Sequence, residues 1–170
     1  MTALLVDPVL PDVIEPGLRV VFCGSAVGAA SARVGAYYAG PGNKFWPTLH
    51  AIGLTPRRLK PTEYASVVEY GLGLTDLSKW RSGSDVAVGT DDFDVQRLED
   101  LVRRYAPRVI AFNGVKAGRA ALGGFESYGR RLDRFGDAEA WVLPSTSGAA
   151  NRWWDAGHWH DLGERLRRVD

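Results

Sequence analysis

A few polar residues in this chain stand where chemistry could be done, directly behind short apolar runs. Asp76 follows Gly71 to Thr75, and Asn113 follows Arg108 to Phe112. Ser145, Thr146, Ser147 and Gly148 follow Ala140 to Leu143 and a proline, while Ser25 and Ala26 lie inside a Gly-x-x-x-Gly stretch behind Leu18 to Cys23. A carboxylate at position 76 could orient or deprotonate a water and stabilise a developing cation, as carboxylates do in sugar hydrolysis. Asn113 is the reserve group for holding a water or a ligand edge. The plainer readings are a turn or helix-cap residue for Asp76 and a turn asparagine before Gly114 for Asn113. His158 and His160 are two apart near Asp155 and Asp161, so on a helix they diverge, and no metal is expected.

The elements that must position these groups alternate. The runs at 18–23, 71–75, 108–112 and 140–143 read as buried strands. Helices are expected over 43–52, 63–68 and 94–105, from near Val115, and from about His158 to the end. Asp94 is the expected cap of the third, and Pro107 stands just past its end. Such alternation predicts an α/β chain: a three-layer α/β/α sandwich around a central, mainly parallel sheet of about four or five strands. Ligand sites in these sheets lie beyond the carboxyl ends of the strands, which is where all four polar segments fall. The stretch from Gly24 to Gly28 lacks the Lys-Ser/Thr of a P-loop and the third glycine of a dinucleotide fingerprint, so nucleoside triphosphates and NAD are poor candidates.

With 170 residues, 45% of them hydrophobic and 24% charged, the chain supports one core: a single domain over 18–170 behind a proline-containing arm, 1–17. A net charge of +1 means that any polyanion must be met by local clusters. Arg130, Arg131 and Arg134 sit near an expected loop, and Arg33 and Lys44 flank an aromatic segment. Arg165, Arg167 and Arg168 are expected on a solvated helix face. Cys23, the single cysteine, reads as a small buried hydrophobe. With no signal-peptide pattern and no apolar run long enough for a membrane, a cytoplasmic protein without membrane contact is expected.

Two stretches carry a resemblance. Tyr37 to Trp46 (YYAGPGNKFW) and Val20 to Gly28 (VVFCGSAVG) resemble the active-site half of the mismatch-specific uracil and thymine DNA glycosylases. Tyr70 to Thr75 (YGLGLT), Val109 to Gly114 (VIAFNG) and Val142 to Gly148 (VLPSTSG) are similar to further segments of that family, in its order. The resemblance implies the uracil-DNA glycosylase fold and a monofunctional, monomeric hydrolase without cofactor. It would cut the N-glycosidic bond of uracil in G:U mismatches or single strands, with uracil-containing or mismatched DNA as partner, in base excision repair at a bacterial nucleoid. Four cysteines are needed by the iron-sulfur uracil glycosylases, so that branch is excluded.

Residue by residue, the resemblance implies that Tyr38 stacks on the flipped base and that Ser31 is a pocket serine. Backbone N–H groups around Ser25 would bond the base. Ser145, Thr146, Ser147 and Gly148 would form the insertion loop that handles DNA. The residue after Gly148 is a wedging Leu or Arg in better-known relatives but Ala149 here, leaving Asn151, Arg152, Trp153 and Trp154 as substitutes. Two tryptophans before a helix are nevertheless expected to be its packing anchor. The family's usual catalytic Asn falls on Ala26, which has nothing to hold a water with, and Asp76 is the expected replacement. Two other readings stay open: a non-catalytic binder of damaged DNA, or a glycosylase for another base such as hypoxanthine or thymine.

Overall fold

The computed structural model describes residues 8–82 and 92–168; residues 1–7 of the expected arm lie outside that range. Five strands make one sheet in the order β2-β1-β3-β5-β4: β1 (Val20–Val27), β2 (Leu72–Ser82), β3 (Val109–Asn113), β4 (Gly129–Phe135) and β5 (Ala138–Leu143). All neighbouring pairs are parallel except β4 with β5. The helices are α1 (Ala29–Val34), α2 (Phe45–Ala51), α3 (Val95–Tyr105), α4 (Val115–Leu122) and α5 (Ala156–Arg168), with 3-10 turns over Pro61–Tyr70 and Gly148–Trp153.

Strand side chains alternate between two buried layers, so both faces must be covered. Val20, Phe22, Leu72, Leu74, Trp141 and Leu143 pack with Phe45 and Leu49 of α2 and Trp159 and Leu162 of α5. Val21, Cys23, Ile110, Phe112, Ala140 and Val142 pack on the opposite face with Leu98 and Val102 of α3 and Ala117 of α4. This is the expected three-layer sandwich. The expected cap holds as well, since the Asp94 carboxylate accepts the backbone N–H of Arg97 at 2.9 Å.

Three boundaries differ from the sequence reading, each for a physical reason. β1 runs on to Val27, so Ser25 and Ala26 sit on a strand and not in a glycine loop. β2 runs on to Ser82, which puts Asp76 inside the strand and removes the turn and cap readings. Arg130, Arg131 and Arg134, expected near a loop, lie on a strand that the sequence reading did not place, β4. As an antiparallel edge strand β4 is largely solvated, with Leu132 fully exposed, and so shows none of the alternation that marks a half-buried strand.

Residues 8–17 of the arm lie along β2, with Leu10 and Val13 buried. Val13 pairs with Leu74 as an antiparallel bridge, and Val9 N–H donates to the Lys79 carbonyl. β2 would otherwise present an open sheet edge, and this segment occupies it.

Candidate active site

Chain order against strand order reverses between β1 and β3, because the connection after β1 leads outward to β2 and the next one returns across it to β3. A crevice opens at the carboxyl ends of strands at such a switch point. Here it is a cleft of about 1060 Å³. Its walls bring together Ser25, Ala26, Ser31, Tyr38, Asp76 and Asn113 with Ser145 to Ala149, all of the expected site residues except Arg152. Pairing of β1 with β3 ends at Cys23↔Phe112, whereas pairing with β2 continues to Val27↔Ser82. The β3-facing edge of Gly24 to Val27 therefore borders the cleft.

Asp76 lies in register with Gly24, and Ser78 with Ala26, on adjacent parallel strands. Side chains two apart on a strand share a face, so Asp76 belongs to the same sheet face as Ala26, one strand over. Gly24 makes room for it. A Cβ on Gly24 would stand 2.8 Å from Asp76 Oδ1 and 3.3 Å from the Tyr38 hydroxyl, so the absence of a side chain lets both oxygens close on this point of β1.

The Asp76 carboxylate is almost fully buried, and its Oδ2 has no hydrogen-bond partner. Lys79 Nζ is 3.7 Å from that oxygen, an ion-pair distance too long for a hydrogen bond. Burial drives the carboxyl up; Lys79 pulls it down, Asp12 pushes it up and Arg97 pulls it down, leaving it at about 6 against an ordinary 3.8. Asp12 ends on the other side. Burial raises it too, but Lys79, the Thr75 hydroxyl and Arg97 together hold it below its ordinary value. Two carboxylates on one lysine are thus set apart, a pattern that separates a working group from a supporting one.

The remaining predicted residues have distinct neighbours. Tyr38 takes a left-handed backbone conformation (φ 53°), and its ring lies 4.0 Å from that of Phe45. Its hydroxyl is buried without a hydrogen-bond partner, and burial followed by the Asp76 charge pushes it well above its ordinary pKa, so it stays protonated as a donor. Ser31 Oγ accepts Ala39 N–H at 2.8 Å and so fixes the aromatic segment to α1. Tyr37 is a core residue, donating to the Pro11 carbonyl at 3.0 Å. Asn113 and Thr146 bond reciprocally, Nδ2 to Oγ1 and N–H to Oδ1, each at 3.0 Å, which ties the end of β3 to the loop after β5. In that loop Ser147 Oγ accepts Ala149 N–H and caps the following 3-10 turn.

Ala149 is exposed at the rim. The expected tryptophan anchor divides: Trp154 packs against the core, whereas Trp153 is 60% exposed, borders the cleft and carries the Arg152 guanidinium 5.6 Å above its ring. Arg165 is also not simply solvated, because it makes two hydrogen bonds to Glu139, at 2.9 and 3.1 Å.

Sequence reasoning missed Asp12, Lys79 and Arg97. It also passed over Lys116 and Arg119 of α4, two cations on the cleft wall. Contacts across 67 positions, such as Lys79 with Asp12 at 3.1 Å, leave no local signal.

With this geometry in place the chain can be compared with known proteins. Residues 11–163 match the sequence profile described as the Uracil DNA glycosylase superfamily. The chain belongs to that superfamily. Its structure is similar to the solution NMR structure of a Methanosarcina acetivorans protein provisionally called a uracil DNA glycosylase. The TM-score is 0.66 at 25% identity, over 95% of this chain and 98% of the other. Membership makes DNA the substrate class and hydrolysis of an N-glycosyl bond the reaction class.

For this superfamily member, the raised Asp76 pKa has a consequence for stability. Between about pH 4 and 6 the folded chain binds a proton at Asp76 that the unfolded chain does not, so Asp76 lowers stability as pH rises through that window. Replacing Asp76 by Asn should stabilise the protein at pH 7.5 by up to about 3 kcal/mol. The gain should shrink towards zero near pH 4. Urea unfolding at several pH values checks it; an equal or lower stability at pH 7.5 would contradict it.

Proposed function

We propose that this chain excises uracil from DNA by hydrolysis, with Asp76 in place of the asparagine that its relatives carry at position 26. The observation that carries this reading is the placement of Asp76: on the strand beside Ala26, on the same sheet face, at the wall of the cleft. Cleavage develops positive charge on the sugar and negative charge on the departing base. An ionised carboxylate at the cleft wall supports that sugar cation and takes a proton from the attacking water. Asn113, held by Thr146, is the second polar group available to water or base. The Tyr38 ring offers a stacking face to an extruded base, and the β3-facing backbone edge around Ser25 offers hydrogen bonds to its carbonyl groups.

Incubating the protein with oligonucleotides that carry one uracil, thymine or hypoxanthine, single-stranded or opposite guanine or adenine, then cleaving with alkali, tests this reading. Breaks at uracil are expected. Binding without breaks on any substrate would favour the non-catalytic reading, and breaks confined to hypoxanthine or thymine would move the substrate.

Ala149 is too small to fill a vacated base stack, and the exposed Trp153 with Arg152 above it stands on the same rim. We assign the plug to this pair. Base–aromatic stacking is worth about 1–3 kcal/mol, and a plug matters only where a stack has been vacated. Trp153→Ala should therefore slow release from a G:U duplex about tenfold or more, with much less effect on a single strand. Equal slowing on both substrates would instead make Trp153 part of a general backbone grip.

A further inference from the structure

Between Ala26↔Ser78 and Val27↔Ser82, β2 advances four residues while β1 advances one. Such a bulge bends the strand and re-aims side chains, and this one sits beside the position that lacks the family's asparagine. On a regular strand, residues three apart lie on opposite faces. Here Lys79 Nζ returns to within 3.7 Å of Asp76 Oδ2, donates to the Tyr37 hydroxyl at 3.0 Å and pairs with Asp12 Oδ1 at 3.1 Å.

Lys79 is 2% exposed. Taking an ion out of water costs several kcal/mol, and a well-packed apolar side chain is often no worse for stability, so fold stability alone is a weak reason for it. Asp12 is itself fixed from two further sides: the Thr75 hydroxyl donates to Oδ1 at 2.6 Å and Arg97 to Oδ2 at 2.9 Å. Arg97 also donates to the Asp76 carbonyl at 2.7 Å. Asp12, on the segment that covers the β2 edge, therefore anchors the lysine, and the lysine faces the one carboxylate among the described residues that borders the cleft.

We propose that Lys79, anchored by Asp12 of the N-terminal segment, is a positioning residue that holds the Asp76 carboxylate ionised and fixed towards the cleft. This rests on the reading of Asp76 as the water-activating group. The groups that act on Asp76 are Lys79 on its own strand, Asp12 on the edge segment, Arg97 on α3, Tyr37 and Tyr38 on the aromatic segment, and Cys23 on β1. Lys79 provides the largest pull towards the ionised form, and Asp12 opposes it directly. The two therefore have opposite signs.

Single-turnover release of uracil from a single-stranded oligonucleotide, measured from pH 4.5 to 9 with the full chain, tests the assignment. In Lys79→Met the acid limb should move up by about one pH unit or more, the scale for losing an opposite charge within 4–6 Å. Release near pH 6 then falls about fivefold or more while the rate above pH 8 approaches that of the wild type. Lys79→Arg should restore the wild-type limb, and Asp12→Asn should move it down. A Lys79→Met limb that stays in place, or a loss uniform with pH, would overturn the proposal. If Lys79→Met does not fold, Lys79→Gln decides: an upward shift of the limb supports the proposal, and an unmoved limb overturns it. Full activity in Asp76→Asn would sink the reading of the site itself. Unmoved limbs alongside an inactive Asp76→Asn would sink only the assignment of Lys79.

Discussion

Asp76→Asn should slow single-turnover release of uracil by about 10²-fold or more, the usual scale for a positioned acid-base group. The substitution keeps the size and removes the charge, and the buried site gains from losing it, so the slow variant should be at least as stable as the wild type at neutral pH. That combination separates a catalytic loss from a folding loss. Placing at position 26 the asparagine that the resemblance implies there, Ala26→Asn with Asp76→Asn, should recover part of the rate, because position 26 lies on the same sheet face one strand away. In the wild-type background Ala26→Asn should matter little. A folded Asp76→Asn protein with near wild-type release would remove the carboxylate from the mechanism.

Gly24→Ala should have a loss of similar size through geometry alone. The new methyl would stand 2.8 Å from Asp76 Oδ1, closer than real side chains tolerate, so that oxygen must move, and 3.3 Å from the Tyr38 hydroxyl, a tight contact. A displacement near 1 Å at a reacting group can cost about 10²-fold in rate, while overpacking one methyl costs about 1–3 kcal/mol of stability. The sheet around Gly24 is otherwise regular, and the variant should still fold. Release kinetics beside a thermal melt check this: wild-type rates in the folded variant would mean that the carboxylate is not held against β1.

Much of the frame was legible in the sequence because buried parallel strands are short apolar runs and helices carry a 3.6-residue stripe. The runs at 18–23, 108–112 and 140–143 gave three strands in their places, and Asp94 gave a cap. The extension of β2 was not legible, since Asp76, Ser78 and Lys79 break the apolar run and a bulge leaves no periodicity to find. β4 was missed because an edge strand need not bury either face. Most of the cleft wall was legible for another reason: each of its groups stands at the end of a run or of a glycine turn. The support beneath it was not. Asp12, Lys79 and Arg97 read as surface charges one at a time, and only the closing of the N-terminal segment on the edge of β2 turns them into a buried cluster. Trp153 and Trp154 are alike as letters, and it takes the 3-10 turn after Ser147 to send one to the core and the other to the rim.

The most direct test of the central claim is the pH profile of single-turnover uracil release for the wild type beside Asp76→Asn. Asp76 must be ionised to take a proton, and burial has raised its carboxyl to about 6. The wild-type rate should therefore climb tenfold per pH unit below that value and level off above it, and Asp76→Asn should show a low rate without that limb. A wild-type rate that is flat across the range, or the same limb surviving in Asp76→Asn, would contradict the assignment of the water-activating role to this carboxylate.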